Sequence, residues 1–448
     1  MMSMPFQRLA APFLCLTLAF AATAASANPV IVVDVKTGGV IEANEATAPW
    51  YPASLTKLMT TLVVLNAMKA GKLSGDTPLV YSARAQAEPP SKMGFQVGQT
   101  VTTDDALKML MVQSANDIAV TLAESVSGSV EAFVVEMNRT ARQIGMTNTV
   151  FVNPNGLPVR PGPDQQHSTA RDLAVLAVTL LRLHPEHAPL FKIDAIRIGD
   201  RVIRNHNGLV GRYPETDGMK TGYTCSAGYN VVASATRGER QLVTVVLGAE
   251  SPMIRSETAI DAFERGFAAS SARTTLGALD GGSGAFAIDL REQMCGAAAA
   301  KARQARAKLK PDTHPWRDRL MAKIPVTPEP VYASAAPGGV QVAAQPSGAD
   351  EDAPAFAPNP GSTPSIAGQT VKPGSAKVGP LKADAKKTKA QRAREAKAAK
   401  SAKPVKDAKG RMKIELTPPG SASAANGAQA VPGSIYRNAT PADGKSAF

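Results

Sequence analysis

A serine and a lysine three residues apart, Ser54 and Lys57, are the first pair in the chain that could carry out nucleophilic chemistry. On a helix, residues i and i+3 lie on the same face, so the hydroxyl and the amine can come within hydrogen-bond distance. Lysine acts as a base at neutral pH only when burial or a nearby cation lowers its pKa from about 10.4. The pair predicts a serine acyl-transfer enzyme with lysine as its base. Alone, it also fits an ordinary helix start with serine as the N-cap.

Two further motifs supply the other groups that this chemistry needs. Ser114-Ala115-Asn116 offers a hydroxyl that can relay a proton and an amide that can hold Lys57 and a substrate amide. Lys220-Thr221-Gly222 offers a cation and a hydroxyl for a substrate carboxylate, and a glycine against which substrate backbone can lie. Taken singly, the first motif fits a helix cap and the second an exposed turn. Their order within one domain indicates a single site.

Elements that could position these motifs occupy residues 28–272, the predicted catalytic domain. The predicted strands are 30–35, 40–43, 228–236 and 241–247, and the predicted helices are 104–112, 116–125, 130–144, 169–183, 257–268 and one that begins near Ser54. The helix at Ser54 has an expected buried stripe of Leu55, Leu58, Met59, Leu62 and Val63, and the helix at 104 an expected cap at Thr103 or Asp104. Strands at both ends with helices between them predict an α+β antiparallel sheet covered by helices.

Longer stretches around the motifs resemble the penicillin-binding D-alanyl-D-alanine carboxypeptidases, the low-molecular-mass serine peptidases of bacterial cell walls. The similar stretches lie between Ile31 and about Phe267, at residues 51–60, 114–117, 153–157, 167–172, 217–224 and 228–235. The resemblance implies a β-lactamase/transpeptidase-like fold. It also implies removal of the terminal D-alanine from peptidoglycan stem peptides through an acyl-enzyme on Ser54, which penicillins and other β-lactams would also acylate.

The resemblance assigns roles residue by residue. It makes Lys57 the base and gives Ser114 and Asn116 the proton and substrate network. The backbone N–H groups of Ser54 and Tyr223 would form the oxyanion hole. The residues implied on the substrate side are Lys220, Thr221, Gly222, Tyr223 and Arg255. Arg255 is also open to a simpler interpretation, a surface salt bridge at a strand end, and His167 and Arg171 are expected to be structural.

Alternative functions share parts of this pattern. An endopeptidase of the same fold, which cuts peptidoglycan cross-links, would carry the same motifs. A β-lactamase would commonly need a glutamate base for deacylation, and no glutamate-containing loop motif is evident. A non-catalytic envelope-binding protein would not need the intact Ser54, Lys57 and Lys220. No cofactor is expected, because the five histidines and three cysteines show no metal-ligand spacing.

The first 27 residues predict a signal peptide. Arg8 precedes an apolar run, and Ala25-Ser26-Ala27 fits a cleavage site, so the mature protein is expected to be exported to the periplasm. Cys15 lies within the apolar run, which argues against a lipoprotein anchor. Export makes nucleic acid an improbable partner for the net charge of +13. Outside the cytoplasm a disulfide between Cys225 and Cys295 is permitted, and the sequence leaves its formation open.

The chain changes character after the predicted domain. Residues 273–324 are predicted to be a linker with a short helix, and residues 285–290 form a possible strand within it. Residues 325–448, the C-terminal tail, are rich in Pro, Ala and Lys and predict disorder. The tail is either without a task or an electrostatic tether to an anionic envelope surface, which would make the protein peripherally membrane-associated.

Overall fold

The computed structural model describes residues 28–158, 166–279, 286–299, 301, 305, 313–335, 405–406 and 412–413. The predicted signal peptide and most of the C-terminal tail lie outside these residues. Contacts divide the chain into two units, residues 1–366 and 367–448. In the second unit, strands β12 (Val405–Lys406) and β13 (Met412–Lys413) pair antiparallel. Among the described residues, no single helix is both long and apolar enough to span a bilayer.

A six-stranded antiparallel sheet is the centre of the first unit, with strand order β10-β2-β1-β9-β8-β7. Its strands are β1 (Val30–Asp34), β2 (Gly39–Asn44), β7 (Thr216–Thr224), β8 (Gly228–Arg237), β9 (Arg240–Ala249) and β10 (Thr274–Thr275). Two small sheets pair β3 (Pro78–Val80) with β4 (Thr100–Thr102), and β5 (Ala195–Ile198) with both β6 (Arg201–Arg204) and β11 (Glu329–Pro330). In β1, Ile31 and Val33 enter one hydrophobic core, and Val30 and Val32 the other, so the main sheet is buried on both faces.

Helices cover the two faces unequally. The helices are α1 (Thr56–Lys69), α2 (Ala83–Ala87), α3 (Thr103–Val112), α4 (Asn116–Ser127), α5 (Val130–Gln143), α6 (Ala170–Leu183), α7 (Pro252–Ala268), α8 (Arg291–Cys295) and α9 (Arg317–Met321). Short 3₁₀ segments occupy Ala53–Leu55, Pro185–Lys192 and Leu276–Ala278. Helix α7 packs on one face through Ile260 and Phe263, and residues of α1 and α3 to α6 share the larger core on the other face. The predicted fold class is confirmed.

The surroundings of α1 differ from the prediction. Its predicted stripe is buried, but Lys57, Thr60 and Thr61 on its other faces are buried too, so α1 is enclosed on all sides. A helix enclosed in this way cannot show its environment by a one-sided apolar pattern. The 3₁₀ turn that holds Ser54 precedes α1, which itself begins at Thr56.

Two predicted helix starts are wrong. The cap of α3 is Thr102, whose hydroxyl accepts a hydrogen bond from the Asp105 N–H at 3.2 Å. Helix α7 begins at Pro252, five residues before the predicted start, because the Ser251 hydroxyl caps the Ile254 N–H at 3.1 Å and proline occupies the first turn.

The packed body extends beyond the predicted boundary at residue 272. Strand β10 pairs with β2, and Leu290 donates its N–H to the Ser226 carbonyl, although residues 286–290 form no strand. Residues 313–335, which we call the strap, also lie on the body, with β11 pairing β5 in parallel. The strap buries Leu320 and Val331, so the first residues of the predicted disordered tail are ordered.

Candidate active site

Ser54 lies in the 3₁₀ turn that precedes α1, directly against the edge strand β7. Ala53 has a φ of 48°, an uncommon conformation for a residue with a side chain, and such strain is concentrated at functional sites. A Cβ placed on Gly222 would come within 3.0 Å of the backbone nitrogen of Ser54. Glycine at this position therefore allows the close approach of β7 to the turn, a requirement within the protein that the sequence motif did not reveal.

Lys57 is fully buried, and its amine contacts three groups. The Nζ atom lies 3.0 Å from the Ser54 Oγ, 2.8 Å from the Asn116 Oδ1 and 2.7 Å from the backbone carbonyl of Asn155. The helical spacing thus brings Ser54 and Lys57 together as predicted. Burial, with the charge of Lys220 as the second cause, holds the pKa of Lys57 well below its usual value, which favours the neutral amine that a base requires.

Asn116, the first residue of α4, contacts Lys57, and Ser114 lies in the turn between α3 and α4. Ser114 has a φ of 59°, and its buried Oγ has no hydrogen-bond partner among the described residues. The Asn116 amide donates through Nδ2 to the Pro89 carbonyl at 2.9 Å, which leaves its oxygen directed to Lys57. A free hydroxyl beside an oriented amide is suited to moving a proton to and from the amine.

A buried cationic cluster forms the second part of the site. Lys220 lies in β7 and donates its amine to the Thr221 carbonyl at 3.0 Å. Burial, followed by the charge of Arg255, lowers the pKa of Lys220 to about 7. Burial lowers the pKa of Arg255 to about 10, and its buried Nε and Nη2 find no partner within the described part of the chain. Two buried cations with unused donors are suited to a carboxylate ligand.

The predicted setting of Arg255 and of the Lys220 motif is corrected by the structure. Arg255 lies near the start of helix α7, not at a strand end, and it is buried. Lys220, Thr221 and Gly222 lie within the nine-residue strand β7 and not in an exposed turn, and the predicted pair of strands, β8 and β9, follows them. Because β7 is the edge strand of the main sheet, an extended peptide could lie along it.

Tyr223 follows Gly222 in β7, and Gly222 is the residue that approaches the Ser54 backbone nitrogen. The Tyr223 N–H is therefore one residue away from this contact between the strand and the turn. Its ring stacks on Tyr229 with centroids 4.2 Å apart, and its hydroxyl lies 3.4 Å from the Cys295 Sγ. The disulfide between Cys225 and Cys295, left open by the sequence, is present. It holds residues near α8 against the end of β7.

Sequence reasoning gave no role to three further residues of the site, although Asn155 lies in the similar stretch 153–157. Asn155 supplies a backbone carbonyl to Lys57, which no side-chain pattern can show. Glu88 accepts a hydrogen bond from the Asn155 Nδ2 at 2.9 Å. Burial, with the charges of Lys220 and Arg255, lowers the pKa of His206 to about 4, so its imidazole is neutral near pH 7.

His167 and Arg171 contact the framework. His167 forms a β-bridge with Val150, and the Arg171 guanidinium binds the Asp172 carboxylate and the Leu276 carbonyl. No group of three or more potential metal ligands occurs within the described ranges. The site brings together the Ser54 hydroxyl, the buried Lys57 amine and the Asn116 amide, and it includes the buried cations Lys220 and Arg255.

Comparison with known proteins finds one family. The family model described as D-alanyl-D-alanine carboxypeptidase matches residues 17–251. D-alanyl-D-alanine carboxypeptidase DacC of Escherichia coli K12 is 40% identical over 232 residues, which are 50% of this chain and 57% of that protein. The chain thus spans little more than half the length of that relative.

Solved structures give the same result. Penicillin binding protein 5 of Haemophilus influenzae has 35% sequence identity and a TM-score of 0.52, covering 54% of this chain and 71% of that one. D-alanyl-D-alanine carboxypeptidase DacD of Francisella tularensis has 29% identity and a TM-score of 0.51, covering 54% and 70%.

Proposed function

Because the chain belongs to the D-alanyl-D-alanine carboxypeptidase family, we propose that it is a serine DD-carboxypeptidase that removes the terminal D-alanine from peptidoglycan stem peptides. The observation that carries the proposal is the contact of a fully buried Lys57 amine with the Ser54 hydroxyl at 3.0 Å. The names of the related proteins, which include a penicillin binding protein, support a second proposal, that β-lactams acylate the same serine.

Acylation begins with transfer of the Ser54 proton to the Lys57 amine. The Oγ then forms a bond to the carbonyl carbon of the penultimate D-alanine, and the N–H groups of Ser54 and Tyr223 stabilise the developing oxyanion. The proton passes by way of the Ser114 hydroxyl to the nitrogen of the terminal D-alanine as its bond to the carbonyl carbon breaks. Water then attacks the ester, which releases the shortened peptide and restores the serine.

Substrate orientation follows from the cationic cluster. Lys220, Thr221 and Arg255 would bind the terminal carboxylate, a group that every substrate of a carboxypeptidase presents. The free donors of Arg255 and the buried ammonium of Lys220 support this role. The peptide itself would lie against the edge strand β7 through backbone hydrogen bonds.

Covalent labelling with a fluorescent penicillin tests the proposal. We expect the full chain to be labelled, Ser54→Ala to remain unlabelled, and Lys57→Ala to be acylated about 10²–10⁴-fold more slowly because the base is gone. Incubation with a pentapeptide should release D-alanine. A preparation that is folded but never labelled would refute the acyl-enzyme, whereas release of monomers from a cross-linked dimer would identify an endopeptidase.

We propose the periplasm as the site of action. The apolar run and cleavage-like triplet in residues 1–27 support export, and the Cys225–Cys295 disulfide is compatible with an oxidising compartment. The lysine-rich sequence of the C-terminal tail supports contact with an anionic envelope surface. Envelope binding by the full chain that weakens with added salt, and is lost when the tail is deleted, would be the expected result.

A further inference from the structure

Glu88 lies in a loop that contacts the catalytic residues at several points. It follows helix α2 and is half-buried. The next residue, Pro89, accepts a hydrogen bond from the Asn116 Nδ2 at 2.9 Å, and the Ser91 carbonyl accepts one from the Asn116 N–H at 2.8 Å. The loop is therefore fixed to the amide that orients Lys57.

A chain of two hydrogen bonds joins the Glu88 carboxylate to the base. The Asn155 Nδ2 donates to the Glu88 Oε2 at 2.9 Å, and the Asn155 backbone carbonyl accepts from the Lys57 Nζ at 2.7 Å. Asn155 is itself buried, so its amide must be oriented by a partner within the protein. Glu88 accepts from the Nδ2 of this amide and the Leu157 N–H donates to its Oδ1 at 3.0 Å, and together they fix the residue whose carbonyl holds the amine.

The charge of Glu88 also acts on Lys57 directly. The charged groups that act on Lys57 are the cation of Lys220 and the carboxylates of Glu88 and Asp117, and the neutral His206 lies nearby. Around Glu88 itself, the charges are those of Arg84, Lys57 and Asp117. A negative charge beside Lys57 stabilises the ammonium form and so opposes the effects of burial and of Lys220, which both favour the neutral amine.

We propose that Glu88 is a positioning residue for the acylation of Ser54, acting on Lys57 through Asn155 and through its own negative charge. The inference rests on the proposed function, since it assigns Lys57 the role of base. It adds a glutamate that no sequence motif marks. Its charge moves the pH range in which the neutral amine is available to higher pH, and its hydrogen bond orients Asn155, whose carbonyl accepts from the amine.

The pH dependence of penicillin acylation by the full chain tests this role with Glu88→Gln. The amide keeps an oxygen that accepts from Asn155 but removes the charge. Acylation rises with pH as Lys57 loses its proton, and without the carboxylate that proton is lost at lower pH. We expect the acid limb of the profile to move to lower pH by about 0.5–1 unit.

Two control variants separate this effect from a loss of structure. Glu88→Asp keeps the charge, so its acid limb should stay near that of the wild type even if the rate falls. Glu136→Gln removes a carboxylate that pairs with Arg139 on the exposed side of α5, and its profile should not move. An acid limb of Glu88→Gln that coincides with the wild type overturns the proposal. Failure of the wild type to be acylated would instead refute the proposed function, and this role with it.

Discussion

The three hydrogen-bond partners of Lys57 differ in what they can do. The Asn116 Oδ1 and the Asn155 carbonyl can only accept, whereas the Ser54 hydroxyl can either accept or donate. A neutral amine has two N–H groups, which the two carbonyl oxygens occupy. Its lone pair is then left for the hydroxyl proton of Ser54, which is the arrangement that the proposed role of Lys57 as base requires.

The two buried lysines have opposite tasks. Lys57 must be neutral to accept a proton, and Lys220 must be charged to hold a carboxylate. Burial lowers the pKa of both lysines. Lys220, however, shares its cluster with Arg255, and a bound carboxylate offsets the positive charges of these two residues. On the proposed function, we expect activity in a pH window that opens as Lys57 loses its proton and closes as Lys220 loses its own.

The alkaline limit of this window is a prediction about Lys220. Because the pKa of the free protein's Lys220 is lowered to about 7, its ammonium is present below that pH and is lost above it. We expect kcat/KM for a pentapeptide to fall as the pH rises through about 7. In Lys220→Arg the cation persists, so this decline should disappear below about pH 9, whatever the absolute rate. An unchanged alkaline limb in Lys220→Arg, measured over pH 5–9, would exclude Lys220 as its source.

At the scale of elements, the sequence predicted the contacts that depend only on residues close together in the chain. The i, i+3 spacing predicted the contact of Ser54 and Lys57 because the 3₁₀ turn that holds Ser54 runs directly into α1, and local backbone geometry fixes that relation. The start of α7 was missed because the cap is a serine followed by proline outside the apolar pattern, and this changed the setting of Arg255. Contacts such as Gly222 against the Ser54 nitrogen, or Glu88 against Asn155, depend on tertiary packing and produce no periodic pattern in the sequence.

The disulfide joins two elements of the fold, and its contribution to stability can be measured. Cys225 and Cys295 are separated by 70 residues, and the bond anchors the segment at α8 to the end of β7. By restricting the unfolded chain, a bond that closes a loop of this length should contribute about 4 kcal/mol to the free energy of unfolding. We expect Cys225→Ser/Cys295→Ser to lose that amount in denaturant titrations. The double variant should also be insensitive to reductant, and equal stability of the oxidised wild type and the double variant would contradict this.

For the whole molecule, the packed body extends further along the chain than the composition predicted. The strap was predicted to be linker and disordered tail because proline and alanine surround its few apolar residues. Those few are enough to fix it: Leu320 enters the core beneath α7, and Trp316 packs edge-on against Tyr213 with centroids 5.2 Å apart. The Arg317 guanidinium pairs with the buried Glu257 at 2.6 Å.

The far end of the strap reaches the helices on the opposite side of the sheet. Val331 enters the larger core, the Tyr332 N–H donates to the Asp105 Oδ2 at 2.9 Å, and the Ser334 N–H donates to the Thr100 carbonyl at 2.8 Å. The strap therefore joins the part of the body that carries Lys220 and Arg255 to the part that carries Ser114 and Asn116. We therefore expect its attachment to affect the alignment of the site as well as stability.

Truncation tests how far the functional body extends. A chain ending after residue 335 keeps every strap contact described above, and we expect it to match the full chain in unfolding free energy and in the rate of penicillin acylation. A chain ending after residue 312 exposes the sites of Leu320 and Val331 and leaves Glu257 without Arg317. Burial of two such side chains contributes about 3–6 kcal/mol to the free energy of unfolding, so the shorter chain should unfold at a lower denaturant concentration. It should also acylate more slowly, because the parts of the body that carry Lys220 and Ser114 are less firmly aligned. Equal stability of the two truncated chains would show that the strap rests on the body without supporting it.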